Sequence, residues 1–228
     1  MKKIFTLLSL AVLATAGANA ADLLTIKVDG NQVKNGDVVI SNKLLVDEFD
    51  GMILNWEIKP EFTLESSEEV VYSLEISNAG ATDFSYCGVT GATTNTMICQ
   101  TLHPGQKWTD DGVLQPSHKY PVAYYYMHLD LENLPKDLEC KGHFKMEAEG
   151  ESGIQNIEFD VNLVYSSTSV DSILGEEFTL IVGNGRVATA EGTPVEVYNL
   201  SGARAANEGL DGNYVVRVGG KALKVVVK

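Results

Sequence analysis

Four histidines, three cysteines and two acidic clusters are the groups that could do chemistry in this 228-residue chain. The histidines are His103, His118, His128 and His143. His103 precedes Pro104-Gly105 and reads as a turn residue. His128 and Asp130 fall on one face of an alternating run, where a third ligand would make a metal site. Solvated polar positions are the simpler reading. His143 alternates with Lys145 and Glu147 on an outward face. Asp47, Glu48 and Asp50 before Gly51, and Asp110 and Asp111 before Gly112, read as acidic turns. Calcium needs several oxygens converging from a loop, and neither cluster matches an EF-hand. No G-x-S-x-G, H-E-x-x-H or glycine-rich phosphate loop occurs. No catalytic residue, metal site or cofactor is therefore expected, and the chain reads as non-enzymatic. A hydrolase with an unrecognised site is the alternative from a different class.

Cys87 and Cys99 flank a Gly/Thr/Asn-rich stretch that reads as a loop between two strands. A disulfide there would staple the loop, stabilising by about 3 kcal/mol on the loop-entropy model. Cys140 is then left over, and sequence alone leaves other pairings open. No C-x-x-C pair is present, so a zinc site is not indicated.

Tyr124, Tyr126 and His128 share the polar face of one run, with Trp108 and Tyr120 nearby in sequence. Exposed aromatics on a β-sandwich stack on sugar rings or form protein contacts. A glycan or surface-protein ligand, as for a carbohydrate-binding module, is the binding alternative. A covering loop or second sheet would make these residues structural.

Period-two alternation must position all of these groups. Ala123, Tyr125, Met127, Leu129 and Leu131 alternate with Tyr124, Tyr126, His128 and Asp130. Ile157, Phe159, Val161, Leu163 and Tyr165 alternate with Glu158, Asp160 and Asn162. Met52 to Ile58 and Val70 to Ile76 repeat the pattern, which predicts half-buried antiparallel strands. Asp29-Gly30-Asn31 and Asn35-Gly36-Asp37 are tight-turn signals. The predicted class is all-β: an immunoglobulin-like β-sandwich over residues 21–165, a small polar linker at 166–170, and a smaller β-sandwich at 171–228. In that last stretch, strands are predicted at 178–182, 195–200, 214–218 and 222–227. Val195, Val197 and Leu200 with Tyr214, Val216 and Val218 would build its small core.

Residues 1–20 read as a cleavable secretory signal. Lys2 and Lys3 precede an apolar run too short to span a bilayer comfortably, and Ala18-Asn19-Ala20 supplies the small residues of a cleavage site. No later segment is long and apolar enough for a transmembrane helix. The net charge is −14, from 17 Lys+Arg and 31 Asp+Glu. Residues 21–169 hold 9 basic against 24 acidic side chains, residues 170–228 only 6 against 7. That asymmetry suggests different jobs for the two parts. An acidic surface argues against nucleic acid and anionic membranes as partners.

The tail carries three blocks: Pro194-Val-Glu-Val-Tyr-Asn-Leu-Ser-Gly202, then Leu210-Asp-Gly212-Asn-Tyr214-Val-Val-Arg-Val, then Lys221-Ala-Leu-Lys224-Val-Val-Val-Lys228. In order and spacing they resemble the C-terminal sorting domain of type IX (Por) secretion cargo. One departure is the single residue between Leu210 and Gly212, where the family often has two. The resemblance covers residues 170–228. It implies export through the inner membrane, then across the outer membrane by secretion machinery that recognises Gly202, Gly212, Tyr214, Lys221, Lys224 and Lys228. The implied destination is the medium or the cell surface, by way of the periplasm. Physically, Gly202 and Gly212 sit where turns need positive φ. The valine-rich last strand offers an edge to a receptor, while its lysines discourage self-pairing. Asp171-Ser172-Ile173 also resembles an O-glycosylation site of proteins exported by this route.

Overall fold

Alternation in sequence forces extended backbone, because only a period of two puts every second side chain on one face. The computed structural model describes residues 22–49, 52–89, 97–116, 119–121, 124–129, 137–166, 177–219 and 221–228. Among these residues there is no helix and there are twenty strands. The first are β1 (Leu24–Val28), β2 (Asn31–Val33), β3 (Val38–Ser41), β4 (Leu44–Phe49), β5 (Met52–Ile58), β6 (Phe62–Ser66) and β7 (Val70–Asn78). Next come β8 (Phe84–Val89), β9 (Met97–Leu102), β10 (Lys107–Leu114), β11 (Lys119–Pro121), β12 (Tyr124–Leu129), β13 (Asp137–Gly150) and β14 (Gly153–Ser166). The series is completed by β15 (Thr179–Gly183), β16 (Arg186–Thr189), β17 (Val195–Tyr198), β18 (Arg204–Ala205), β19 (Gly212–Val218) and β20 (Lys221–Val227). The all-β class expected from the sequence is the observed one. The predicted signal segment, the linker beyond Ser166 and Asp171-Ser172-Ile173 lie outside the described residues.

The strands form four sheets: β11-β6-β1-β2, β4-β5-β12-β8-β9, β10-β7-β13-β14-β3-β15-β16, and β18-β17-β19-β20. Pairing is antiparallel except between β14 and β3, which run parallel from Asp160↔Val38 to Leu163↔Ser41. The turn between β1 and β2 places Asp29 at φ 44° and Gly30 at φ 84°. Two left-handed residues in a row are what a two-residue hairpin turn requires.

Alternation decides which core each residue joins. Leu74 and Ile76 of β7, Phe144 and Met146 of β13, and Phe159 and Val161 of β14 point into the main core. There they meet Ile26, Phe62, Leu64 and Tyr86 from the facing sheets. Phe144 and Phe62 both stack on Phe159, with ring centroids 4.6 and 6.0 Å away. Each such ring, fully buried, contributes on the order of 2–3 kcal/mol relative to exposure.

The seven-stranded sheet has a second covered face. On β3, Val39 belongs to the main core, whereas Ile40 belongs to a second core and Val38 packs against it. On β15, Ile181 packs on the main core and Leu180 and Val182 belong to the second. Val197, Val216, Val218, Val225 and Val227 of the small sheet complete that second core. β3 and β15 of the large sheet are thus sandwiched between the body and the small C-terminal sheet, while β16 keeps one face exposed. Leu200 corrects the predicted tail core: it is 64% exposed. The chain turns at Asn199, so Leu200 leaves the strand before it can alternate inward. Asp110 and Asp111 correct the predicted acidic turn: both lie within strand β10. There the Tyr72 hydroxyl donates to Asp110 Oδ2 at 2.7 Å.

Candidate functional site

The three tail blocks become three strands and their turns. Val195–Tyr198 is β17, and Asn199 closes the turn to β18. Asn199 Oδ1 accepts from the Ser201 and Ala203 amides at 3.0 and 2.9 Å and from the Ser201 hydroxyl at 2.7 Å. An Asn side chain that mimics a backbone carbonyl holds such turns closed. Gly202 follows at φ 83° and Gly212 opens β19 at φ 102°, both left-handed. β19 pairs with β20 over seven residues, from Gly212↔Val227 to Val218↔Lys221. Tyr214 lies opposite Val225 and packs partly buried against the tail core.

The lysines of β20 differ. Lys221 is half-buried, with its ammonium 6.0 Å from the Phe178 ring centroid. Burial lowers its pKa from the ordinary value, with Glu177 pulling the other way. Lys224 and Lys228 are exposed. Val226 between them is 51% exposed. β20 is the edge of its sheet. Beside it runs a groove of about 440 Å³, formed where the small sheet stops and the bare half of the large sheet begins. Val38, Ile40 and Val182 supply apolar lining; Lys224 and Lys228 line it as well, with Asp160 and the Lys141–Glu139 ion pair. A free strand edge with exposed lysines can accept another extended chain by main-chain pairing.

A second polar cluster joins the tail to the body. The Asp29 side chain, 7% exposed, receives the Lys43 ammonium at 2.6 Å. The same oxygen accepts from the Glu61 amide at 3.1 Å, and the other accepts from the Thr179 hydroxyl at 2.6 Å. Burial alone would lower the Lys43 pKa, but the hydrogen bond and charge of Asp29 outweigh it and hold it raised. Glu61, Glu177 and Glu191 line a cleft of about 430 Å³ beside this pair. The Glu191 carboxylate is occupied by the Thr179 amide, at 3.1 and 3.3 Å from its two oxygens. Nearby, Asp37 is buried; its oxygens accept from the Lys34 amide at 2.8 Å and from Asn184 Nδ2 at 3.1 Å. Burial raises its pKa, against those hydrogen bonds. By type and spacing, Asp29 and Asp37 read as turn residues. A carboxylate beside a turn glycine is their one signal, and turns explain it equally well.

The other sequence candidates scatter. Cys87 and Cys99 are bonded, and lie directly opposite each other on β8 and β9. Cys87 is buried and Cys99 exposed, and residues 90–96 lie outside the described residues. Cys140 is a buried free thiol donating to the Asp83 carbonyl at 3.0 Å. Burial, with the charges of Asp83 and Glu139, pushes it up to about 12. Tyr124, Tyr126 and His128 stand on β12 opposite Cys87, Ser85 and Glu57. Their side chains, with Asp130 and His118, lie outside what is described. His103 sits in the turn before β10, its Nδ1 2.8 Å from Asp83. His143 does not stand free on its face: Nδ1 lies 2.7 Å from Asp160 and Nε2 3.3 Å from Glu158. Among the described residues no three His, Cys, Asp or Glu groups are arranged to hold a metal ion. No described helix is long and apolar enough to cross a membrane.

Comparison with protein-family models and with curated proteins finds no match.

Proposed function

We propose that this chain is an exported, non-enzymatic protein whose C-terminal sheet is its sorting signal. The body, over residues 21–165, is an immunoglobulin-like binding or structural module that acts at the cell surface or in the medium. The observation that carries this reading is the placement of the tail motif. Its three blocks fall on β17, β19 and β20, the turn glycines Gly202 and Gly212 are left-handed, and the lysine-bearing block is a sheet edge. A signal read by outer-membrane secretion machinery needs a surface that a receptor strand can reach, and an edge strand supplies one. Lys224 and Lys228 would meet the receptor, while Gly202, Gly212 and Tyr214 hold the turns and the strand that present them. Lys221, lying partly over Phe178, would anchor the start of β20.

Deletion of Lys221 to Lys228 tests the reading. The truncated protein should accumulate in the periplasm, as judged by cell fractionation and surface labelling. Normal surface delivery of that truncation would sink the proposal.

A further inference from the structure

We infer that the C-terminal sandwich is completed by strand β3 of the body, so that the sorting edge on β20 folds only once the body has folded. The tail contributes one full sheet, β18-β17-β19-β20, but only a two-stranded hairpin, β15-β16, to face it. The third strand of that facing layer is β3, paired from Thr179↔Ser41 to Val182↔Val38. Ile40 is counted in the tail core, and Val38 and Val164 pack against it. The body therefore supplies part of the apolar lining that the tail strands bury themselves upon.

Polar groups fasten the same seam. The Phe178 amide donates to Asn42 Oδ1 at 2.9 Å, and the Asn42 amide donates to the Phe178 carbonyl at 3.2 Å. The hydroxyls of Ser41 and Thr179 lie 3.0 Å apart, both fully buried. The Thr179 hydroxyl also donates to Asp29, and the Asn184 amide to Asp37. Detached from the body, the tail would leave these donors and acceptors unpaired and β15 as a bare edge. A unit of about 50 residues is marginal by its surface-to-volume ratio. None of the three cysteines falls in it, so no disulfide compensates. Loss of buried Ile40 and half-buried Val38 strips apolar cover from its core. The tail is then a sensor of the body's state. Its consequence for export rests on the sorting reading above: a body without a formed β3 presents no finished edge, so unfolded cargo carries no readable signal.

Amide hydrogen exchange on the purified full chain tests this. In Ile40→Asp the new carboxylate enters the tail core, while Val39 still faces the body. Amides of Val216 and Val225 should exchange at least about 100-fold faster, with Phe144 and Val161 changed by less than about 3-fold. Unchanged protection at Val216 and Val225 overturns the inference. If Ile40→Asp opens both parts together, Phe159→Ala decides between coupling and general damage. That variant weakens the body from its own core, and in rising urea the tail amides should open in step with Phe144. Tail amides that stay protected after the body has opened overturn the inference. Export is not an input to these readings. Failure of the Lys221–Lys228 deletion to trap protein would remove the sorting reading and leave the coupling standing.

Discussion

Replacing both Cys87 and Cys99 with Ala should lower stability by about 3 kcal/mol. The bridge joins residues 12 apart in sequence. Closing a loop of that size in the unfolded chain costs about 9–10 cal/mol/K, which at 25 °C is about 3 kcal/mol on the chain-entropy model. Native-state losses are small on the same count, because Cys99 is exposed and Ala keeps the buried Cys87 position apolar. For a chain of this size 1 kcal/mol moves the melting midpoint by about 2–4 °C, so the double variant should melt about 6–12 °C lower. Circular dichroism on the folded full chain, with and without dithiothreitol, measures it. Reductant should lower the wild-type midpoint by the same amount and leave the double variant unmoved. Cys140 should stay unmodified by thiol reagents in both, because it is buried with its thiol pushed up to about 12. A midpoint drop under about 2 °C would refute the loop-entropy account and imply that the β8-β9 pairing already restrains the reduced chain.

Three further outcomes are expected. Phe159→Ala should cost about 3–5 kcal/mol by urea denaturation, since the ring is buried and stacks with both Phe144 and Phe62. Gly183→Ala should destabilise by about 1–3 kcal/mol, because its Cβ would meet Asp37 Oδ1 within contact distance and the Asp37 backbone at 3.2 Å. Asp37 binds its proton more tightly folded than unfolded, so its contribution is full below its ordinary value of 3.8 and is lost as pH rises through the raised folded value. Asp37→Asn should flatten that part of the stability-against-pH curve, and a wild-type curve that rises with pH relative to the variant would contradict the sign.

Much of the architecture was legible in the residues. Alternation at Ile157 to Tyr165 became β14, the Asp29-Gly30 pair became a left-handed turn, and Cys87 and Cys99 are bonded across paired strands. These are local facts, fixed by side-chain period and by the φ that each residue tolerates. The mistaken Leu200 shows the limit of the same logic, since alternation holds only while the strand continues. Asp110 and Asp111 show another: an Asp-Asp-Gly run scores as a turn, but pairing with β7 held it extended.

The sequence by itself determined that this chain makes strands, that it turns at Asp29-Gly30, and which tail block forms a lysine-bearing edge. Only the tertiary structure decided that β3 runs parallel to β14 and antiparallel to β15, joining body and tail through one sheet. A trace of it was present in Val38-Val39-Ile40 and Leu180-Ile181-Val182, which are apolar at every position rather than every second one. Continuous apolar runs signal a strand covered on both faces. They do not name what covers it. Period two specifies which face a residue takes, whereas the choice of neighbouring strand depends on long-range packing and hydrogen bonding that close only when residues some 140 apart in the chain meet, as Asn42 and Phe178 do.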